Sequence, residues 1–199
     1  MLLFLIAGYE TTSTALLWFI HLVSKNPRIQ TKIKAELGEL RHQHLTIEQL
    51  DCLPYLDCVL REVLRFVPPA NGSVRTLTTD DRLPGSGVPL YRGDQVMIPF
   101  HNLTRDSRYW KIDPDRFYPE RFESDDKNHL PLASIPFGSG HRQCVGQELA
   151  KLELKAVAAR LMQQVTFGDG GSDVNAGEYE QKLTIMPKHF AVTIKFDFI

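Results

Sequence analysis

The chain has 199 residues, of which 43% are hydrophobic and 24% are charged, so it can bury a core and is not a disordered segment. Lys and Arg total 23 against 24 for Asp and Glu, a balance that excludes nucleic-acid or anionic-membrane binding as the main activity. The three cysteines form no CxxC pair, which argues against a disulfide framework or a structural zinc site. Thiols that stay reduced are typical of a protein that faces the cytosol.

The first 20 residues are apolar enough to suggest a signal peptide or a membrane span. No Lys or Arg precedes the apolar run, so the positive region of a signal peptide is missing. Glu10 lies at the midpoint, where a charged side chain in a bilayer costs about 2.5–3.5 kcal/mol. We therefore expect a buried helix over residues 3–24 with a functional polar kink, and a membrane span is the alternative.

Three further long helices are predicted, over residues 27–41, 54–67 and 147–164. Thr46 and Gln49 have the spacing of a capping box, which marks the start of another helix. The helix over 54–67 has an apolar stripe at helical spacing and is ended by two prolines. The buried face of the helix over 147–164 is predicted to consist of Ala150, Leu154, Val157 and Leu161.

Turn-forming residues separate short β-like runs over residues 71–100, which predicts a small antiparallel sheet. Residues 104–135 have little periodicity, and an ordered stretch of that length without regular elements is usually functional. After a flexible loop over 168–177, residues 182–199 are predicted to form a closing hairpin around Pro187-Lys188. Together these elements predict a mainly α fold with small antiparallel β-sheets.

The most specific string in the sequence, FGSGHRQCVG, runs from Phe137 to Gly146. It is a glycine-rich loop that brings Cys144 to the start of a helix, where the partial positive charge favours thiolate over thiol. Arg142 adds a fixed cation suited to a carboxylate. Such a cysteine is suited to bind a soft metal or to attack a carbon. A buried structural thiol and a nucleophile assisted by His141 are the alternatives.

Two pairs of polar residues on predicted helices also suggest function. Glu62 and Arg65 lie opposite the apolar stripe of their helix, so periodicity favours a solvated ion pair worth about 0.2–0.5 kcal/mol. Glu10 and Thr11 lie within an apolar helix, where both are costly unless water or a partner satisfies them. The alternative for this second pair is hydrogen bonding back to the helix's own backbone.

The loop over 137–146 resembles the haem-binding loop of the cytochromes P-450 at Phe137, Gly140, Arg142, Cys144 and Gly146. Three other segments are similar to family motifs, in the family's order. They are the oxygen-binding stretch of the central helix at Ala7–Thr12, the ExxR motif at Glu62–Arg65 and the PERF motif at Pro119–Phe122. The resemblance implies a cytochrome P-450-like fold truncated at the N-terminus. Residues 1–199 would then form the C-terminal, haem-binding part, starting within the central helix and lacking the N-terminal half.

By this resemblance the chain is a haem-thiolate monooxygenase that oxidises an apolar small molecule. The implied cofactor is haem b, with Cys144 as the axial thiolate ligand of its iron. Arg75 and Arg142 are expected to pair with the haem propionates. The rest of the implied cofactor-binding set is Phe137, Gly140 and Gly146.

The resemblance gives the polar helix residues different roles. Thr11 is expected to steady dioxygen at the iron, and Glu10 to relay protons to it as a general acid. A structural network behind the haem is implied for Glu62, Arg65 and Arg121. Breaking one partner of such a buried network costs about 3–5 kcal/mol.

The resemblance also implies partners. They are a small apolar substrate and an electron donor, either a flavoprotein reductase or a ferredoxin-type protein, with no nucleic acid and no metal other than haem iron. The donor's acidic surface is expected to meet Arg142, Lys151 and Lys155. A cytosol-facing protein is expected, anchored to a membrane through an N-terminal segment that this sequence lacks. A catalytically silent haem-binding remnant and a cysteine-dependent hydrolase that requires His141 are the alternative functions.

Overall fold

The computed structural model describes residues 2–197, within which six α-helices and eight short β-strands follow one another. The helices are α1 (Leu2–Lys25), α2 (Pro27–Leu37), α3 (Ile47–Asp51), α4 (Pro54–Phe66), α5 (Phe100–Leu103) and α6 (Gln147–Gln164). The strands are β1 (Ser73–Thr76), β2 (Asp81–Arg82), β3 (Pro89–Leu90), β4 (Gln95–Ile98), β5 (Val165–Asp169), β6 (Gly177–Gln181), β7 (Ile185–His189) and β8 (Val192–Phe196). The mainly helical fold with small antiparallel sheets is confirmed.

The hydrophobic core lies where α1, α2, α4 and α6 meet. The second half of α1 enters it through Trp18, Phe19 and Val23, and burying a side chain of this size contributes about 1.5–3 kcal/mol. By length and composition α1 could also cross a membrane. The expectation of a buried helix is right for this second half and wrong for residues 2–9, whose side chains are exposed because that half of α1 borders an open cavity.

Of two local features predicted in residues 27–49, the capping box is confirmed and the end of α2 is not. Thr46 and Gln49 form both hydrogen bonds of the predicted capping box at the start of α3. Helix α2 ends at Leu37, short of the predicted end at Arg41, because Gly38 has a φ of 47° and the chain continues as a short 3-10 helix.

Of the buried face predicted for α6, Leu154 is buried, Ala150 and Leu161 are only half-buried, and Val157 is exposed. Val157 is 42% exposed, whereas Ala158 and Ala159 are completely buried beside Leu154 and Met162. The small alanines let α6 approach α1, α2 and α4 closely. The sequence pattern favoured the larger Val157 because it weighs hydrophobicity and not the room that a helix contact leaves.

The predicted closing hairpin was also wrong. Pro187 lies inside β7, opposite Tyr179 of β6, and β8 pairs with β5 instead of with β7. The turn is at residues 182–184, between β6 and β7. Proline is tolerated within β7 because the sheet has only two strands, so one edge of β7 needs no hydrogen bonds. The last two residues of the predicted hairpin lie outside the described residues.

The remaining strands form two small sheets, β1 with β4 and β2 with β3, where one antiparallel sheet was predicted. The stretch over 104–135 has no α-helix or strand among its described residues, as predicted, and includes short 3-10 turns at Pro119–Phe122 and Pro131–Ala133. This irregular segment packs against α4 through its first 3-10 turn. It therefore covers the face of α4 that periodicity assigned to solvent.

Candidate functional site

The cysteine loop has the geometry that its glycines permit. Gly138 and Gly140 have φ values of 74° and 71°, and the backbone N–H of Cys144 donates to the carbonyl of Phe137 at 2.9 Å. The loop ends at Gly146, immediately before α6. The thiol of Cys144 is free and exposed, so the alternative of a buried structural thiol is wrong. Among the described residues, no hydrogen bond joins this thiol to His141 or to another histidine.

The other two cysteines do not share this setting. Cys58 is buried in a small cluster with Trp110 and Phe122, and burial raises the pKa of its thiol to about 11. Neither Cys52 nor Cys58 belongs to a functional motif in the sequence, which predicts a structural thiol at both positions. Cys58 fits that prediction, whereas Cys52 is exposed at the end of α3 and does not.

Cys144 lines a cavity of about 440 Å³ that lies between its loop and the first half of α1. Thr11 of α1 also lines the cavity, as do Arg75 and Arg142. Most of the surface is apolar, with contributions from Phe4, Ala7, Leu64, Phe100, Phe137 and Leu149. The volume and the lining are those of a small-molecule site, since such sites occupy about 300–1,000 Å³ and carry few polar groups.

Within residues 2–197, the positive charges of the two arginines at this cavity are not paired with carboxylates. Arg75 donates to the hydroxyl of Ser73 and, at 3.0 Å, to the carbonyl of Val74. Within residues 2–197, neither Arg75 nor Arg142 forms an ion pair with a carboxylate. A guanidinium that lines a cavity without a carboxylate partner is suited to hold an anionic group of a ligand.

The two adjacent polar residues of α1, Glu10 and Thr11, form hydrogen bonds with different partners. The hydroxyl of Thr11 donates to the carbonyl of Ala7 at 2.7 Å, which is the backbone-bonded alternative. The carboxylate of Glu10 accepts a hydrogen bond from the hydroxyl of Thr184 at 3.1 Å, outside the set of residues that line the cavity. Sequence reasoning missed Thr184, since nothing in its neighbourhood distinguishes it from an ordinary turn threonine.

Glu62, Arg65 and Arg121 form a buried network, and all three side chains are 0% exposed. Arg65 donates to both carboxylate oxygens of Glu62 at 2.7 and 2.9 Å, and Arg121 donates to Glu62 at 3.1 Å. The prediction of a solvated Glu62–Arg65 pair was therefore wrong. Periodicity could not anticipate that an irregular segment covers the polar face of α4.

A second carboxylate completes this network. Asp126, which is 2% exposed, accepts from Arg121 at 3.0 Å, so two buried acids balance two buried arginines. Asp126 also accepts from the backbone N–H groups of Lys111 and Ile112, which fastens the irregular segment to itself. No sequence pattern predicts the burial of Asp126, because it lies in a polar run, SDDKN, that is typical of exposed turns.

A mainly helical fold carries an exposed thiol, a threonine and two arginines without carboxylate partners among residues 2–197, all around one apolar cavity. In the part of the chain that the structure describes, no group of three His, Cys, Asp or Glu side chains could hold a metal ion. A metal at Cys144 would therefore need most of its ligands from a bound cofactor.

The family model for cytochrome P450 matches residues 1–194 of the chain. The chain is 40% identical over 167 residues to the putative cytochrome P450 120 of Synechocystis sp. (strain ATCC 27184 / PCC 6803 / Kazusa), an alignment that covers 82% of this chain and 37% of that protein. It is 38% identical over 166 residues to cytochrome P450 4V2 of Mus musculus, covering 81% of this chain and 31% of that protein. The chain belongs to the cytochrome P450 family.

A solved structure gives the same result for the fold. Retinoic acid bound cyanobacterial CYP120A1 superposes with a TM-score of 0.88 at 35% identity, covering 98% of this chain and 44% of that chain. The predicted cytochrome P450-like fold is confirmed. The family consists of monooxygenases that use a haem iron, and the chain spans about a third of the length of the curated relatives it matches.

Proposed function

We propose that this chain carries the haem-binding part of a haem-thiolate monooxygenase, with Cys144 as the thiolate that would hold the iron of haem b. The observation that supports this most is that the exposed thiol of Cys144, on the loop before α6, and Thr11, on α1, line one cavity. A cofactor held by this thiolate would therefore share the cavity with the α1 side chains that line it.

The residues at the cavity fit a haem group. A free thiol supplies the soft donor that iron accepts from cysteine in this family. Arg75 and Arg142 have no carboxylate partners within residues 2–197, so they would pair with the two propionates. The apolar walls, including Phe137 and Leu149, would pack against the porphyrin. Gly138 and Gly140 have positive φ and let the loop turn before Cys144, and Gly146 lies at the start of α6.

When bound, haem supplies an iron that binds dioxygen, and a thiolate ligand favours cleavage of the O–O bond. Thr11, which lines the same cavity, would offer its hydroxyl there as a hydrogen-bond donor; this hydroxyl now donates to the Ala7 carbonyl and would have to turn toward the cavity. Glu10 would supply the proton as a general acid from the adjacent position. Apolar side chains around the cavity would exclude water from that proton transfer.

We propose a small apolar molecule as the substrate. The cavity walls are mostly hydrocarbon. By the family resemblance, residues 70–74 and 186–190 would face the substrate. Ala70, Gly72 and Ser73 of the first segment line the cavity, whereas none of the described residues 186–190 does, so the cavity supports this role only for the first segment. Retinoic acid, which the structurally similar cyanobacterial protein binds, is a suitable test compound.

Electrons would come from a flavoprotein reductase or a ferredoxin-type donor. Arg142 is exposed at the cysteine loop, and Lys151 is 50% exposed on α6 beside Glu148, so both are accessible to an acidic protein. Lys155 is only 13% exposed and lies 4.0 Å from Asp57, which makes it a poor contact. Three free cysteines fit a cytosol-facing location.

The test is haem uptake followed by a carbon-monoxide difference spectrum of the reduced protein. The wild-type chain is expected to give the red-shifted Soret band of thiolate-ligated haem, and Cys144→Ala to lose it. Cys52→Ala is the matched control, because Cys52 is also free and exposed but lies away from the cavity, and it should keep the band. A band that survives in Cys144→Ala, or no haem uptake by the wild type, would contradict the proposal.

A further inference from the structure

Beside the cavity, a turn between β6 and β7 is fastened to the middle of α1. The indole N–H of Trp18 donates to the carbonyl of Ile185 at 2.7 Å, and the N–H of Ile185 donates to the carbonyl of Pro69 at 2.9 Å. These two bonds fix the backbone on one side of Thr184, which is 1% exposed. The hydroxyl of Thr184 is therefore presented to α1 from a rigid position.

That hydroxyl lies in a short chain of hydrogen bonds with a defined direction. A carboxylate accepts only, so the single proton of the Thr184 hydroxyl goes to Glu10 at 3.1 Å. The 2.9 Å contact between Thr184 and Thr14 then requires Thr14 to be the donor. Thr14 is completely buried, so this chain ends inside the protein and cannot conduct a proton onward to solvent.

We propose that Thr184 is a positioning residue that holds the Glu10 carboxylate against the β6–β7 turn, away from the cavity that Thr11 lines. Glu10 delivers a proton toward Thr11 only after this hydrogen bond breaks, the half-buried carboxylate takes up a proton from water, and its side chain turns. Thr184 thereby delays proton delivery by Glu10 until the hydrogen bond breaks. This inference rests on the proposed function for the role of Glu10, whereas the restraint itself is a property of the chain without cofactor.

The restraint is tested by isotope-edited infrared spectroscopy of the full chain, labelled with ¹³C at glutamate carboxyl groups. The band that disappears in Glu10→Gln belongs to Glu10. In Thr184→Val, which keeps the side-chain shape, this band is expected to shift, and in Thr184→Ser to stay at the wild-type position. Ser13→Ala is the control, because that hydroxyl donates to the backbone carbonyl of Glu10 at 3.1 Å and not to its carboxylate. An unmoved band in Thr184→Val would overturn the proposal.

The timing role is tested on the haem-loaded protein with ferredoxin, its reductase and retinoic acid. When dioxygen leaves as hydrogen peroxide, it takes two electrons and two protons with it, and these electrons do not contribute to oxidised product. The peroxide formed per electron is expected to rise severalfold in Thr184→Val and to return to the wild-type value in Thr184→Ser. An unchanged ratio would overturn the timing role. Failure of the wild type to take up haem would contradict the proposed function, and the infrared shift would still decide whether Thr184 holds Glu10.

Discussion

Arg121 offers the sharpest perturbation of the fold, because its guanidinium is completely buried and fully used. It donates to Glu62 at 3.1 Å, to Asp126 at 3.0 Å, and to three backbone carbonyls between 2.8 and 2.9 Å. Replacing it by methionine keeps most of the apolar stem and removes the charge with all five donors. Two buried carboxylates would then face a single buried cation, that of Arg65.

The expected cost follows from that imbalance. Removing one partner of a buried ion pair typically costs about 3–5 kcal/mol, because the remaining charge stays desolvated. Part of the charge on Asp126 is still compensated, since two backbone N–H groups donate to it. We therefore expect Arg121→Met to lower the free energy of unfolding by about 4 kcal/mol.

Urea unfolding followed by circular dichroism measures this loss. With a denaturant dependence of about 2 kcal/mol per molar urea, the midpoint should fall by about 2 M. Arg108→Met is the control: its pair with Asp106 leaves Arg108 77% exposed, so the free energy of unfolding should barely change. If Arg121→Met cost no more than this control, the network would not be what fastens the irregular segment to α4.

Three further outcomes follow from the same structure. Burial lowers the pKa of His21 from its ordinary 6.5, so the free energy of unfolding should fall as the pH decreases below 6.5. His21→Gln should make that dependence shallower, while His101, whose pKa burial also lowers, still contributes to it; an unchanged slope would contradict this. Burial raises the pKa of Glu120, but cations on α2 outweigh it and lower the pKa to about 2. The stability lost in Glu120→Gln should therefore shrink as the pH falls from 4.5 toward 2, whereas a constant loss would refute the pairing. In thermal melts, Gly177→Ala should be more destabilising than Gly87→Ala. Both glycines have positive φ, but only at Gly177 would a Cβ lie 2.7 Å from Nε2 of His21. Equal losses of stability would contradict this.

Local patterns predicted the parts of the fold that depend on local physics. The capping box at Thr46, the helix bounds over 147–164 and the loop that exposes Cys144 all follow from residues close together in the chain. Periodicity favoured solvent exposure of Glu62 and Arg65, whereas the family resemblance implied the buried network in which they lie. Periodicity describes a single helix, and it carries no information about which distant segment covers its polar face.

The features that were missed depend on partners far away in the sequence. Thr184 reaches Glu10 across 174 positions, and Asp126 joins a network whose centre lies on α4. The small residues Ala158 and Ala159 are buried because of a helix contact, not because of their hydrophobicity. In each case the deciding quantity is a tertiary distance, which neither composition nor spacing encodes.

Ligation of the haem iron by the sulphur of Cys144 is measured by X-ray absorption at the iron edge of the haem-loaded chain. We expect one sulphur neighbour in the first coordination shell of the iron, retained in Cys52→Ser and lost in Cys144→Ser. An iron shell made only of nitrogen and oxygen in the wild type, or a sulphur neighbour that persists in Cys144→Ser, would contradict it.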